Sequence, residues 1–208
     1  RLAVTEVAPW GSDAEYGADW FELTNTGGTT LELTGVRVDD SSNSFANAVS
    51  LEGVASLAPG EAAIFLESSV VDRPATIERF AQAWFGDSGL PDGLQVGGYS
   101  GSGIGLSGGG DEVNVFAVDG AHLTGISFAA ATSNVTFDNA ARLGAAAGAV
   151  PINTLAAEGI NGAFLAADGV AVGSPGNVVP TTDPGSSGDT SGIRITEVAA
   201  FGSGNSPY

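Results

Sequence analysis

Cysteine, methionine and lysine are absent from the 208 residues, and histidine occurs once. Without cysteine there are no disulfides, no thiolate metal sites and no thiol nucleophile; without methionine as well, sulfur oxidation has nothing to damage. His122 is the only imidazole, so Ser-His catalysis has little to draw on, and a hydrogen-bonded strand histidine is the simpler account of it. All six basic residues are arginines, set against 24 acidic ones, for a net charge of −18. That balance argues against nucleic acid, whose binding needs clustered cations to displace counterions, and against anionic membrane surfaces. No apolar run approaches the roughly 20 residues of a spanning helix, and no signal-peptide pattern is read, so membrane insertion is not expected. The chain begins at Arg1 rather than Met, as a processed or excised piece would. A strongly acidic, lysine-free surface stays soluble in high salt. Together with the lack of cysteine, which many bacterial surface proteins share, it points to an extracellular or cell-surface protein.

What is abundant is glycine, at 32 residues, with aromatics at 8 %. Glycine-rich turns between short Val- and Thr-bearing stretches favour an all-β chain. One stretch occurs twice. Val4-Thr5-Glu6-Val7-Ala8-Pro9-Trp10-Gly11-Ser12 returns 191 residues later as Ile195-Thr196-Glu197-Val198-Ala199-Ala200-Phe201-Gly202-Ser203, with six of nine positions identical. With one residue inserted, Tyr208 falls against Tyr16. Such a separation marks a tandem array of domains rather than a short solenoid repeat. Residues 178–192, rich in Pro, Gly, Ser and Thr, have linker composition. The expected layout is therefore a domain over 1–177, a linker over 178–192 and the opening strand of a second copy over 193–208.

Within the domain, alternation predicts strands over Leu2–Val7, Asp19–Asn25, Leu31–Val38 and Ala62–Glu67. On the second strand, Phe21 and Leu23 share one face while Glu22 and Thr24 share the other. Ile77, Phe80, Ala81, Trp84 and Phe85 form an apolar stripe at helical spacing, with Pro74 in the first turn and Gly86 at the end. The stretch from Gly97 to Gly110 is glycine-dense, with Leu94, Val96, Ile104 and Leu106 as buried anchors. Glu112–Val118 and Leu123–Phe128 form a hairpin about Asp119-Gly120. Short strands, closely spaced turns and one small helix give a two-sheet β-sandwich.

Several motifs now fall in a telling order. Thr5-Glu6-Val7, Asp19-Trp20-Phe21-Glu22-Leu23-Thr24-Asn25 and Leu33-Thr34-Gly35-Val36-Arg37-Val38-Asp39-Asp40 are followed by Ser107-Gly108-Gly109-Gly110-Asp111-Glu112-Val113-Asn114-Val115-Phe116 and Gly173-Ser174-Pro175-Gly176-Asn177. Over about residues 1–177 this resembles the lamin tail domains of bacteria. It departs at Val36, where that family usually carries Trp, so one core anchor is smaller. The resemblance implies an immunoglobulin-like β-sandwich and a non-catalytic module. Such modules are repeated in large surface proteins or joined to secreted phosphatases, phytase-like proteins or nucleases.

No enzyme signature stands out. Gly101-Ser102-Gly103-Ile104-Gly105 lacks the Lys-Ser/Thr ending and following helix of a phosphate loop. Acidic pairs are too numerous for any one of them to signal glycoside hydrolysis. Asp39, Asp40 and Asn43, and separately Asp13 and Glu15, place hard oxygen ligands on loops as Ca²⁺ prefers, although neither set has EF-hand spacing and Asx-rich turns form without metal. Glu6 and Glu197 recur at matched positions, read as solvent-facing or sheet-bridging carboxylates. Trp20, Trp84, Phe21, Phe80 and Phe85 read as core, whereas Trp10, in a loop and matched by Phe201, is expected to cover the rim of a neighbouring module.

The leading expectation is a structural module whose partners are neighbouring copies, with Ile193, Ile195, Val198, Phe201 and Trp10 at the contact. Strand donation from the 193–208 segment to a sheet edge would then build a head-to-tail filament or surface layer. The rivals are an accessory domain of a secreted phosphatase, phytase-like or nuclease enzyme, and an adhesin-type binding module.

Overall fold

The computed structural model describes residues 1–144, 146 and 148–176. The domain boundary at 177, the linker and the second copy of the opening strand lie outside the described residues. In chain order the strands are β1 (Leu2–Ala8), β2 (Trp20–Asn25), β3 (Leu31–Glu32), β4 (Arg37–Asp39), β5 (Val49–Ser50), β6 (Ser56–Leu57) and β7 (Ala62–Glu67). Helix α1 (Arg73–Phe85) follows, then β8 (Gln95–Tyr99), β9 (Asp111–Phe116), β10 (His122–Phe128), β11 (Phe137–Asp138), β12 (Val150–Ile152), β13 (Phe164–Leu165) and β14 (Val172–Gly173). Two five-stranded sheets, ordered β11-β1-β2-β7-β8 and β12-β10-β9-β4-β5, make the expected all-β sandwich with one short helix. Each sheet is mixed, since β7 pairs with β8 and β10 with β12 in parallel. No helix among the described residues is long and apolar enough to cross a membrane.

The first sheet is buried on both faces, and a bulge in β1 makes this possible. Cross-strand pairing with β2 slips between Val4 and Glu6. An extra residue in one strand shifts the alternation by one. Val4 and Val7, three apart, therefore both enter the core between the sheets, with Phe21, Leu23, Phe65, Val113, Val115 and Ile126. Thr5 and Glu6 are left on the opposite face. That outer face carries a second core: Ala8, Trp20, Ile64 and Leu66 pack under Trp10, Tyr16, Phe80, Trp84, Ala166 and Ala171. Trp20 meets Phe80 and Trp84 edge-on at 5.6 Å between ring centroids, an arrangement that aromatic quadrupoles favour. The helix runs Arg73–Phe85 with Pro74 in its first turn and stops at Gly86, whose φ is 62°, as the sequence pattern predicts.

One expectation fails for a physical reason. The single strand expected over Leu31–Val38 is two. Val36 N–H donates to the Leu33 carbonyl at 3.0 Å and Gly35 takes a φ of 82°, a left-handed turn that sends β3 to pair with β6 and β4 to pair with β9 and β5. The glycines at 97 and 98, at the head of the glycine-dense stretch, lie inside β8. A Cβ on Gly98 would stand 2.4 Å from Arg73 Nε and 2.7 Å from the Leu66 carbonyl oxygen. Glycine is there because the helix start and β7 both press against the strand.

Candidate functional site

The outer face of the first sheet holds a row of three acidic side chains. In the cross-strand register, Glu6 on β1 sits opposite Glu22 on β2 and, on its other side, opposite Asp138 on β11. Like charges directly opposite one another oppose sheet formation, and here all three are withdrawn from water: Glu6 is 1 % exposed, Glu22 2 % and Asp138 7 %. Their oxygens are met by donors. Thr136 Oγ1 and the backbone N–H of Ser174 donate to Glu6 Oε1 at 2.5 and 2.7 Å, and Ser174 Oγ donates to Oε2 at 3.1 Å. Thr5 Oγ1 donates to Glu22 Oε1 at 2.5 Å, and the N–H of Gly176 donates to Oε2 at 2.7 Å. Asp138 accepts from Ala140 N–H and Asn161 Nδ2, both at 2.7 Å. Arg73 is occupied elsewhere, with Glu52 at 3.0 Å and the Ser68 carbonyl.

Burial is the main force on the titration of both glutamates. It pushes Glu6 from 4.5 up to about 8, with Glu22 adding repulsion and the Thr136 and Ser174 hydrogen bonds pulling back. Glu22 rises to about 7, again chiefly by burial, opposed by Thr5 and Gly176 and reinforced by Asp138. A carboxyl pair with raised values is the usual ground for acid–base chemistry. Access is missing, however. The polar groove of about 380 Å³ nearby is lined by Asp138, Asn139, Thr154 and Asn161, and neither glutamate lines it. What the pair holds instead is chain. Glu6 and Glu22, near the start, grip Ser174 and Gly176, more than 150 residues later in sequence. The arrangement is a latch that closes the domain.

Gly173 lets the latch shut. A Cβ there would lie 2.6 Å from Glu6 Oε1, 2.8 Å from Trp84 Cη2 and 2.9 Å from Thr136 Cγ2. Its φ is not in the left-handed region, so space alone excludes a side chain. Gly173→Ala is expected to cost about 1–3 kcal/mol by overpacking and to raise proteolytic cleavage near residues 170–176 relative to the rest of the chain. Unchanged melting and unchanged cleavage would show that the closing strand packs less tightly than this geometry demands.

Comparison with protein-family models, with curated proteins and with solved structures returns no match. The site is therefore read from its own residues. Asp39 is buried at the end of β4 and spends Oδ2 on Ser42 Oγ and Ser44 N–H, both at 2.6 Å. Asp40 accepts from Ser42 N–H at 2.9 Å, and Asn43 takes a φ of 45° to complete the turn. Asp13 and Glu15 are exposed around the separate turn Gly11–Asp13. The Asp39–Asn43 loop is an Asx-type turn and Gly11–Asp13 a 3-10 turn closed by backbone hydrogen bonds, and among the described residues no three His, Asp or Glu side chains converge as a metal site would need.

Trp10 corrects an expectation. It is 5 % exposed, belongs to the outer core and donates its indole N–H to the Val135 carbonyl at 2.9 Å, so it offers no face to a neighbour. Glu6 is likewise no solvent-facing carboxylate; it bridges β1 to the closing segment. His122 bonds Asn114 Oδ1 through Nε2 at 2.9 Å and packs edge-on to Phe116, a strand histidine as expected. Ile193, Ile195, Val198 and Phe201 lie outside the described residues. Sequence reasoning passed over Glu22, Asp138, Thr136 and Ser174. The available signal was the pairing of a Thr-Glu doublet that recurs with a second buried-pattern strand carrying Glu22 and Thr24 on one face.

Proposed function

We propose that the chain is a non-catalytic structural module, similar to bacterial lamin tail domains, from a secreted tandem-repeat protein whose partners are neighbouring copies. The observation that carries this reading is the doubled opening strand. In the first copy, the repeated residues Thr5 and Glu6 belong to the latch that closes the sandwich, together with Ser174 and Thr136. A second Thr196-Glu197 at the matched position carries the chemistry needed to close another such domain. The net charge of −18 and the absence of cysteine fit an extracellular or cell-surface setting.

Light scattering at several concentrations, on the whole chain and on a chain lacking residues 193–208, tests the reading. The whole chain is expected to assemble with rising concentration and the shortened one to remain a folded monomer. Equal monomeric behaviour of both would remove assembly through the second strand. A shortened chain that fails to fold would remove the independent module itself.

A further inference from the structure

β1 is not an edge. It lies between β11 and β2, with partners on both sides. A strand that copies it is therefore shaped for an interior slot, whose requirements the structure defines position by position. Val4 and Val7 are fully buried between the sheets; Ile195 and Val198 supply the same apolar pattern. Glu6 must meet Thr136 and Ser174, and Glu197 provides the same carboxylate. Gly11 has no room for a side chain, since a Cβ would lie 2.1 Å from the Ala18 carbonyl oxygen; Gly202 stands in its place. Tyr16 is buried and accepts the Trp20 indole N–H at 3.1 Å; Tyr208 aligns with it.

The chain can also reach. Gly176 borders the same groove as Gly60 and Ala62. Gly60 N–H bonds the Asn25 carbonyl, and Asn25 pairs with Leu2. The closing segment therefore leaves the domain at the end where β1 enters. A Gly/Ser/Pro/Thr-rich stretch of the length of 177–192 spans roughly 20–25 Å root-mean-square, enough to return to that entrance or to reach the one on another copy.

We propose that the β1 slot accepts residues 193–208 of this chain or of a second copy, so that tandem modules exchange opening strands. Exchanging an identical element is a low-cost route to assembly, and head-to-tail exchange in trans gives an open chain of modules. Two differences rank the occupants. Arg194 falls where Ala3 is 1 % exposed, and Phe201 lacks the indole N–H that bonds Val135. β1 is thus the preferred strand, and 193–208 takes the slot when β1 leaves it. This deepens the tandem-module reading and rests on it only in treating the second strand as a copy of the first.

The test uses the full chain with β1 disabled by Val4→Asp and Val7→Asp. That variant is expected to keep one cooperative thermal transition at a lower temperature. Adding Ile195→Asp and Val198→Asp should abolish the transition, whereas those two alone should leave it within a few degrees of wild type. Light scattering on the β1-disabled chain then reports occupancy in cis as monomer or in trans as dimer and larger. If the β1-disabled chain and the four-substitution chain behave alike, both unfolded or both folded, the slot does not take the second strand and the proposal is overturned. A wild-type melt for Ile195→Asp with Val198→Asp leaves the module reading standing in either case.

Discussion

Replacing Trp84 by Ala is expected to destabilise the domain by about 3–5 kcal/mol. For a chain of this size that lowers the melting temperature by roughly 10 °C. Trp84 is the point where three parts of the outer layer meet. Its ring stands edge-on to Trp20 at 5.6 Å and to Phe164 at 5.9 Å, and it lies against Phe80 at 6.1 Å. The backbone around it adds to this, since Ala167 N–H donates to the Trp84 carbonyl and Asp168 N–H to that of Ala83. Removing the ring opens a cavity directly beside Gly173 and so beside Glu6. Water entering there relieves the burial that holds the Glu6 carboxyl neutral. Trp84→Ala should therefore show two effects: a lower transition temperature and a shallower dependence of that temperature on pH. Trp84→Phe, which keeps an aromatic ring, should lose less of both. A Trp84→Ala protein melting within two or three degrees of wild type would mean that the outer layer contributes little to the fold.

The inner core was legible because its signals are local. Phe21 and Leu23, Ala63 and Phe65, Val113 and Val115 alternate along single strands, and the helix announces itself by the spacing of Phe80, Trp84 and Phe85. The outer layer was not, for two reasons. A polar face bearing Glu22 and Thr24 gives no hydrophobic signal that something will cover it, yet both are fully or nearly fully buried. The cover comes from residues 156–176, an Ala- and Gly-rich stretch whose order depends on contacts with α1 and β1 rather than on any period of its own. Trp10 was misplaced for the same reason. A loop position with an aromatic residue reads as rim until the second core is seen to close over it. The bulge in β1 was also hidden. Val4 and Val7 break strict alternation, and one misplaced apolar residue in a strand of seven looks like noise until register is known. The doubled motif, by contrast, was plain in the sequence, while its chemical meaning appeared only with Ser174 and Gly176 in hydrogen-bonding distance of Glu6 and Glu22.

Between pH 5 and pH 8 the domain should become progressively less stable. Glu6 and Glu22 have values raised from 4.5 to about 8 and about 7 in the folded chain, burial being the first cause of each, while in the unfolded chain both titrate near the ordinary value. Below about 4.5 both states are protonated and the full contribution is present. Above it, the unfolded chain releases protons that the folded chain retains, so each further unit of pH favours unfolding by up to about 1.4 kcal/mol per carboxyl. The loss ends once pH passes the folded values, near 8. Asp19 and Glu67 are raised by burial as well and act in the same direction. The effect is read as a melting temperature that falls from pH 5 to pH 8 and then levels.

Glu6→Gln isolates the latch from this trend. Its carbonyl oxygen accepts from Thr136 and Ser174 N–H as Oε1 does, and its amide nitrogen faces Ser174 Oγ, whose hydroxyl turns to accept. The closure is kept and the ionisable group is gone. At pH 5 the variant should match wild type within about 1 kcal/mol; at pH 9 it should be the more stable of the two. The remaining slope belongs mainly to Glu22, and Glu6→Gln with Glu22→Gln should flatten the profile further. Thermal melts of the three proteins at pH 5, 7 and 9 decide the matter. A wild-type profile that is flat, or that rises with pH, would show that the two carboxylates are held ionised, and the latch would then depend on charge rather than on its exclusion.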